Sequence, residues 1–240
     1  MRDIQVSEAP KRAAGTAAAG LVEDGMSLGL GTGSTVRWFL EALAARRLDV
    51  AGVPTSQATA DRCRELGIPL LDPRDVVRLD LAVDGADEFD AELNATKGGG
   101  GALLREKVVA DMADRFVIVA TPDKAVDRLG ASFPLPIEVV PFAVGPVSRT
   151  LHERGVQVSL RVSDDGGTYL TDNGNAILDA HYPEGIEDPA VMDLVLSMLP
   201  GVVANGLFVE MAHLAVLGHP DGRVEHRTPR TDDTDTGTAE

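Results

Sequence analysis

Lys97–Lys107 reads KGGGGALLREK, and its continuation VVADMADRFVIVA runs to Ala120. Four consecutive glycines, Gly98 to Gly101, carry no Cβ, so the backbone can approach a ligand closely and turn its N–H groups toward an anion. Ala102 to Ala113 reads as a helix, with Leu103, Leu104, Val108 and Val109 at helical spacing, and Phe116–Ala120 as the buried strand after it. A glycine run that opens a helix presents free N–H groups and the positive end of the helix dipole. Lys97 adds a fixed cation, and Glu106, about one turn into the helix, is a candidate base. The glycines alone would equally suit a flexible loop before a surface helix. The rest of the chain separates these two readings.

Upstream, the same alternation of strand and helix recurs. Met26–Leu30, Val50–Pro54, Ile68–Leu71 and Leu79–Val83 read as strands. A first helix is expected from an N-cap at Ser7 to Glu23, a second over Val36–Arg46, and a third from a cap at Ser56 to Gly67. Trp38 and Phe39 are assigned to the core. Such alternation implies a parallel sheet with right-handed crossovers, and ligands bind such sheets at the carboxyl ends of strands. After about Ala131 the pattern changes. Phe133–Pro141 is extended, Val144–Arg154 helical and Val156–Val162 a strand; Asp164–Gly167 is a hairpin turn, two strands flank Asp172–Asn175, and Pro189–Leu199 is helical. This is a small α+β unit of β-α-β-β-α-β order. From Gly206 the apolar GLFVEMAHLAVLG returns to the first sheet, which makes the small unit an insertion. Residues 229–240 are polar, acidic and aperiodic, and read as a disordered tail.

At 240 residues the chain can build one large or two modest domains. It has no apolar run long enough to span a bilayer, and MRDIQVSEAP lacks a signal-peptide core, so a cytoplasmic protein is expected. Cys63 is the only cysteine; it excludes an internal disulfide or a cysteine cluster and reads as a structural thiol. The formal net charge is −16, and Lys11, Lys97, Lys107 and Lys124 are the only lysines. That surface repels nucleic acid and anionic membranes, so neither is expected as a partner. It also fits adaptation to high internal salt, with compositional drift as the plainer explanation.

Three further stretches carry chemistry. GLGTGST, Gly29 to Thr35, stands between a strand and a helix and offers backbone N–H groups with the Thr32, Ser34 and Thr35 hydroxyls. Ser34 occupies the place of the third glycine of a dinucleotide fingerprint, and no Lys follows as in a P-loop. DGADEFD, Asp84 to Asp90, follows an apolar strand, and Asp84 and Asp87 can face one cleft. Paired carboxylates bind sugar hydroxyls or a divalent metal, or move protons. A metal is disfavoured because no histidine or third oxygen ligand is fixed nearby. The plain alternative is turn capping, with Glu88 and Asp90 solvated. Lys124, in TPDKAV, ends a strand, and Lys11 lies on the first helix. The five histidines have no ligand spacing.

Taken together, GLGTGSTV, VDGADEFD, KGGGGALLREK and the later DNGNAILD resemble the A type of ribose-5-phosphate isomerase, in motif and in order, over all but the acidic tail. The resemblance implies a Rossmann-like α/β domain, residues 1–131 and 206–228, with an inserted small α+β (ferredoxin-like) lid domain, residues 132–205. It implies interconversion of ribose 5-phosphate and ribulose 5-phosphate without metal or organic cofactor, in a homodimer or homotetramer. Carried over by position, the base is Glu106. The substrate loops are Thr32, Gly33, Ser34 and Thr35; Asp84, Gly85, Ala86 and Asp87; and Lys97, Gly98, Gly99 and Gly100. Lys124 is the phosphate-side lysine, and Lys11 a less secure match. Glu106 would move the proton between C1 and C2, while Lys97 and the glycine amides hold the enediolate; Asp84 or Asp87 would assist ring opening. Gly101 departs from the Ala of many relatives, and VPTSQAT is looser than their serine-rich turn, so no site is assigned there. Two rival readings are a sugar-phosphate sensor without catalysis and a CoA or acyl transferase with Glu106 as nucleophile.

Overall fold

The structure is a computed structural model that describes residues 2–230, with side chains from Glu8 onward. The chain opens with α1 (Arg2–Ala19). This helix begins upstream of Ser7, which therefore does not cap it; the Ser7 side chain lies outside the described ones. It stops at Ala19 rather than Glu23, where Gly20 and Leu21 donate to the carbonyls of Ala17 and Ala18 in tightened turns. Next come β1 (Ser27–Leu30), α2 (Ser34–Arg46), β2 (Ala51–Pro54), α3 (Gln57–Leu66) and β3 (Leu81–Asp84). Two short strands follow, β4 (Glu88–Phe89) and β5 (Ala95–Thr96), before α4 (Leu103–Met112) and β6 (Phe116–Ala120).

The small unit comes next, as β7 (Leu135–Val139), α5 (Val144–Glu153), β8 (Gln157–Leu160), β9 (Ala176–His181), α6 (Pro189–Ser197) and β10 (Val202–Asn205). Its sheet runs β10-β7-β9-β8 with every pair antiparallel, the ferredoxin-like arrangement. The chain then returns through β11 (Leu207–Phe208), β12 (Leu214–Gly218) and β13 (Val224–Arg227). The main sheet has the order β13-β12-β6-β3-β1-β2 and is parallel except at its β13 edge. Topologically, the small sheet is inserted between β6 and β12. The fold is α/β and Rossmann-like.

The central strands are buried on both faces, which is why they read as continuous apolar runs. Leu30, Val83, Val117, Val119 and Val216 pack on the side of α1 and α2, whereas Ala82, Phe116, Ile118 and Leu217 pack on the side of α4. Cys63 is fully buried in the first cluster, and burial pushes its thiol up to about 11, as suits an inert core group. Phe39 is in the core. Trp38 is only half-buried; it donates from Nε1 to Glu8 Oε2 at 2.8 Å, and the guanidinium groups of Arg12 and Arg37 lie 5.3 and 4.9 Å from its ring centroid.

Some expected strands are shorter or absent. Ile68–Leu71 makes a single bridge, Gly52 to Leu70, because Pro69 has no N–H and Pro73 starts a turn capped by Asp72. The strand expected before Asp172 shrinks to isolated bridges, Val162–Thr168 and Leu170–Ala176. The β11-β5-β4 sheet and the β13 edge were not anticipated. Two-residue strands are too short to show a period. Of the tail expected to be disordered, residues 231–240 lie outside the described residues.

Candidate active site

Chain order and sheet order diverge at β1: β2 lies to one side of it and β3 to the other. Loops leaving the carboxyl ends of β1 and β3 therefore separate there and leave a crevice. A cleft of about 690 Å³ opens at this point. The loop after β1 contributes Thr32, Gly33, Ser34 and Thr35; the loop after β3 contributes Gly85, Ala86 and Asp87; the glycine run contributes Lys97, Gly98, Gly99 and Gly100; and Glu106 lies behind it. Lys124 enters from the 3₁₀ turn Pro122–Lys124 after β6, and Lys11 from α1. Three of the four lysines in this acidic chain thus line one cleft; Lys107 instead meets Asp193 at 3.0 Å.

Asp84 ends β3 and is 3% exposed. Its Oδ1 accepts from the Thr32 N–H at 2.9 Å and from the Gly85 N–H at 2.7 Å. Gly31 must be glycine, because any Cβ there would collide with the Asp84 carboxylate and the Val83 carbonyl. Lys97 Nζ lies 3.0 Å from Asp84 Oδ2 and 3.5 Å from Glu106 Oε2, and it donates to the Gly85 carbonyl at 2.6 Å. Apart from this ammonium, both carboxylate oxygens are buried without a hydrogen-bond partner among the described residues. Burial works against the Lys97 cation, but Asp84 and Glu106 outweigh it, so its pKa is raised and it stays charged.

Glu106 occupies the buried stripe of α4 with Leu103, Val109 and Ala110. Val108, expected on that stripe, is exposed, and Leu104 is half-buried. Burial, reinforced by the Asp84 charge, pushes the Glu106 carboxyl up to about 8 against the pull of Lys97. Asp87 is raised by burial too, and its Oδ2 accepts from the Gly99 N–H at 2.8 Å. That amide is therefore engaged by a carboxylate rather than free for an anion. The Gly100 N–H makes no hydrogen bond among the described residues. Gly101 has φ +80°, and a Cβ there would run into the Tyr169 hydroxyl; this is a physical reason for glycine at that place.

Several roles differ from expectation. The Thr32 hydroxyl turns away into a cluster: its Oγ1 is 2.8 Å from Thr55 Oγ1 and Ser56 Oγ and 3.0 Å from Thr59 Oγ1. The VPTSQAT segment, given no role from sequence, thus fixes the loop after β1 from behind. Glu88 is not solvated but 2% exposed, accepting the backbone N–H groups of Gly130, Ser132 and Phe133 at 2.6, 2.8 and 2.9 Å. Asp90 is half-buried and caps its turn through the Glu92 and Asn94 amides. Arg161, from the small unit, reaches the glycine run and had no sequence signal. The DNGN turn is held by the buried Glu138, whose Oε1 accepts from Asn173 and Asn175, while Asp172 receives the Gln57 N–H at 2.7 Å.

The geometry joins a buried acid–base cluster to a cationic mouth at the N-terminus of α2. A profile described as ribose 5-phosphate isomerase A (phosphoriboisomerase A) matches residues 51–222. The chain belongs to the ribose 5-phosphate isomerase A family. The ribose-5-phosphate isomerase A of Roseiflexus castenholzii is 49% identical over 224 residues, covering 91% of this chain and 95% of that one. That of a Ruegeria species is 46% identical, covering 94% and 89%. The crystal structure of ribose 5 phosphate isomerase A from Neisseria gonorrhoeae superposes with a TM-score of 0.86 at 37% identity, over 92% of this chain and 96% of that one. A D-ribose-5-phosphate isomerase solved in complex with phospho-erythronic acid gives a TM-score of 0.87 at 38% identity, over 91% and 97%.

Proposed function

We infer that this chain interconverts ribose 5-phosphate and ribulose 5-phosphate, with Glu106 as the base. The observation that carries this reading is the buried Glu106–Lys97–Asp84 cluster at the inner end of a lysine-lined cleft. An aldose–ketose isomerase must take a weakly acidic proton from one carbon and return it to the next. A carboxylate with a pKa raised toward neutrality suits both steps, since it accepts and releases a proton within reach of working pH. Lys97 balances the negative charge that grows on the enediolate. Asp84 fixes Lys97, while Asp87, nearer the mouth, exchanges hydroxyl protons and assists ring opening. Lys124 and the free N–H groups at the start of α2 hold the phosphate, with Ser34 and Thr35 as hydroxyl donors. The α+β unit, residues 132–205, is the lid over this site. The sensor and CoA-transfer readings find no support among the relatives.

The direct test is a coupled assay for ribulose 5-phosphate formed from ribose 5-phosphate, run with and without EDTA and at low and molar KCl. Turnover is expected in both chelator arms, since among the described residues no three His, Cys, Asp or Glu side chains are grouped to hold a metal ion. Loss on chelation that one divalent ion restores would remove the metal-free mechanism. The net charge of −16 supports a salt-tolerant protein whose melting temperature rises with KCl, because screening weakens its self-repulsion. A flat or falling trend would remove that reading. No described helix is long and apolar enough to cross a membrane. Assembly as a homodimer or homotetramer belongs to the same proposal, supported by the exposed Val77, Phe142 and Met198.

Lys124 makes no ion pair among the described residues and lines the cleft. Lys124→Ala is expected to raise KM about tenfold, roughly 1.4 kcal/mol, with turnover changed much less, because a phosphate grip is uniform binding. Steady-state kinetics check this. Unchanged KM with collapsed turnover would move Lys124 to the reacting end.

A further inference from the structure

The geometry points to Arg161 as a positioning residue: although it belongs to the small unit and does not line the cleft, it aims the Gly100 amide at the oxyanion formed during isomerisation. This rests on the reading of the site given above. Arg161 follows β8, and its side chain is 15% exposed. Its Nη1 donates to the Gly98 carbonyl at 3.0 Å and to the Gly99 carbonyl at 2.9 Å. Asp179 on β9 holds the same guanidinium from the other side, with Nε donating to Oδ2 at 2.9 Å and Nη2 to Oδ1. The fork is therefore fixed by one carboxylate and spends its remaining edge on two successive peptide carbonyls.

All peptide bonds among the described residues are trans. In a trans peptide the C=O of one residue and the N–H of the next point in opposite directions. Holding the Gly98 carbonyl on Arg161 thus turns the Gly99 N–H the other way, and it is found on Asp87 Oδ2, in the cleft. Holding the Gly99 carbonyl turns the Gly100 N–H away from the arginine by the same rule. Among the described residues that N–H has no partner, Gly100 lines the cleft, and a Cβ placed there would meet nothing within 4 Å. A run of glycines has many competing peptide orientations and no side chains to choose among them. Arg161 chooses, with help from the turn bond from the Gly101 N–H to the Gly98 carbonyl at 2.9 Å. It supplies an external restraint that a preorganised anion donor requires. It also makes the donor conditional on the small unit being docked, because β8 and β9 belong to that unit's sheet.

Arg161→Gln and Arg161→Lys separate this from a structural role. The probes are phospho-erythronic acid, whose carboxylate and phosphate together mimic the charged intermediate, and inorganic phosphate, which reports only the cleft's cationic mouth. For Arg161→Gln, kcat is expected to fall roughly 10²-fold and phospho-erythronic acid to bind at least about tenfold more weakly, while KM and phosphate inhibition move less than about threefold. Arg161→Lys, which keeps the charge but not the fork, should fall between Gln and wild type. Equal weakening of both probes, or unchanged kcat, would overturn the proposal. Should the Gln variant not fold, the Lys variant decides by the same comparison. Failure of the wild-type protein to bind phospho-erythronic acid in competition with ribose 5-phosphate would overturn the site reading itself, and this proposal with it.

Discussion

Glu106→Gln is expected to remove isomerisation while leaving the binding of phospho-erythronic acid within about tenfold of wild type. Gln keeps the length and a polar tip, so the buried stripe of α4 stays filled, but it cannot accept a proton from carbon. Losing a positioned general base costs roughly 10²–10⁴ in rate, about 3–5 kcal/mol of barrier. The pH profile gives an independent check. As the proposed base, Glu106 acts only when ionised, and burial with the Asp84 charge pushes its carboxyl up to about 8. Wild-type kcat/KM should therefore climb as pH rises through the neutral to mildly alkaline range, far above where an ordinary carboxylate titrates. Residual activity of the Gln variant should lack that limb. In D₂O the wild-type product should carry solvent deuterium at C1 or C2, since a carboxyl proton exchanges during the intermediate's lifetime. Complete absence of deuterium would indicate hydride shift. Near-normal turnover in the Gln variant would move the base elsewhere, to Asp84 or Asp87.

Lys97→Met should damage both activity and stability, for one electrostatic reason. Among the described residues the ammonium is the only partner of Asp84 Oδ2 and Glu106 Oε2, and it is 2% exposed. Met replaces the stem and leaves two buried carboxylates facing each other. Breaking a buried ion pair by removing one partner costs about 3–5 kcal/mol, measurable as a fall in the urea midpoint at unchanged slope. The cluster can relieve this by taking up a proton. Glu106, already raised, is the group to take it, so the variant is expected to lose the proposed base although the residue is still present. Turnover should drop at least about 10²-fold, and because Lys97 lowers the Glu106 pKa, whatever activity remains should move to higher pH. A Met variant as stable as wild type, with an unmoved pH profile, would show that the three charges are not coupled.

The parts of the site read from sequence are those built from contiguous backbone. GLGTGST, DGADEFD and KGGGG each lie in one loop, at the end of one strand, and a parallel sheet brings such ends together. Glu106 is legible from its place one turn into the helix, and more firmly from the stripe it occupies. It falls three residues after Leu103 and three before Val109, so a charged group occupies the apolar stripe. What stayed hidden depends on tertiary approach. Arg161 is one arginine among many in an acidic chain, and its fork meets Gly98 and Gly99 more than sixty residues away. Glu88 read as solvated because nothing in EFDAEL foretells that the Gly130–Phe133 backbone will fold onto its carboxylate. The Thr32 hydroxyl looked like a ligand donor, but Thr55, Ser56 and Thr59 claim it.

The interrupted main sheet also sets a schedule for folding. β12 pairs with β6 in the register Leu214–Val117, and everything that forms the small unit is threaded between them. On the ribosome, β6 emerges long before its neighbour and remains a bare sheet edge while the β7–β10 unit is made. The small unit's strands are closer in sequence and can pair first, which brings Gly206 back beside Pro136 and shortens the loop that β12 must close. The nascent chain thus carries its exposed apolar edge through the slowest part of assembly, when it is most open to wrong partners. A chain ending before Leu214 would keep the residues of the cleft's glycine run but never cover that edge.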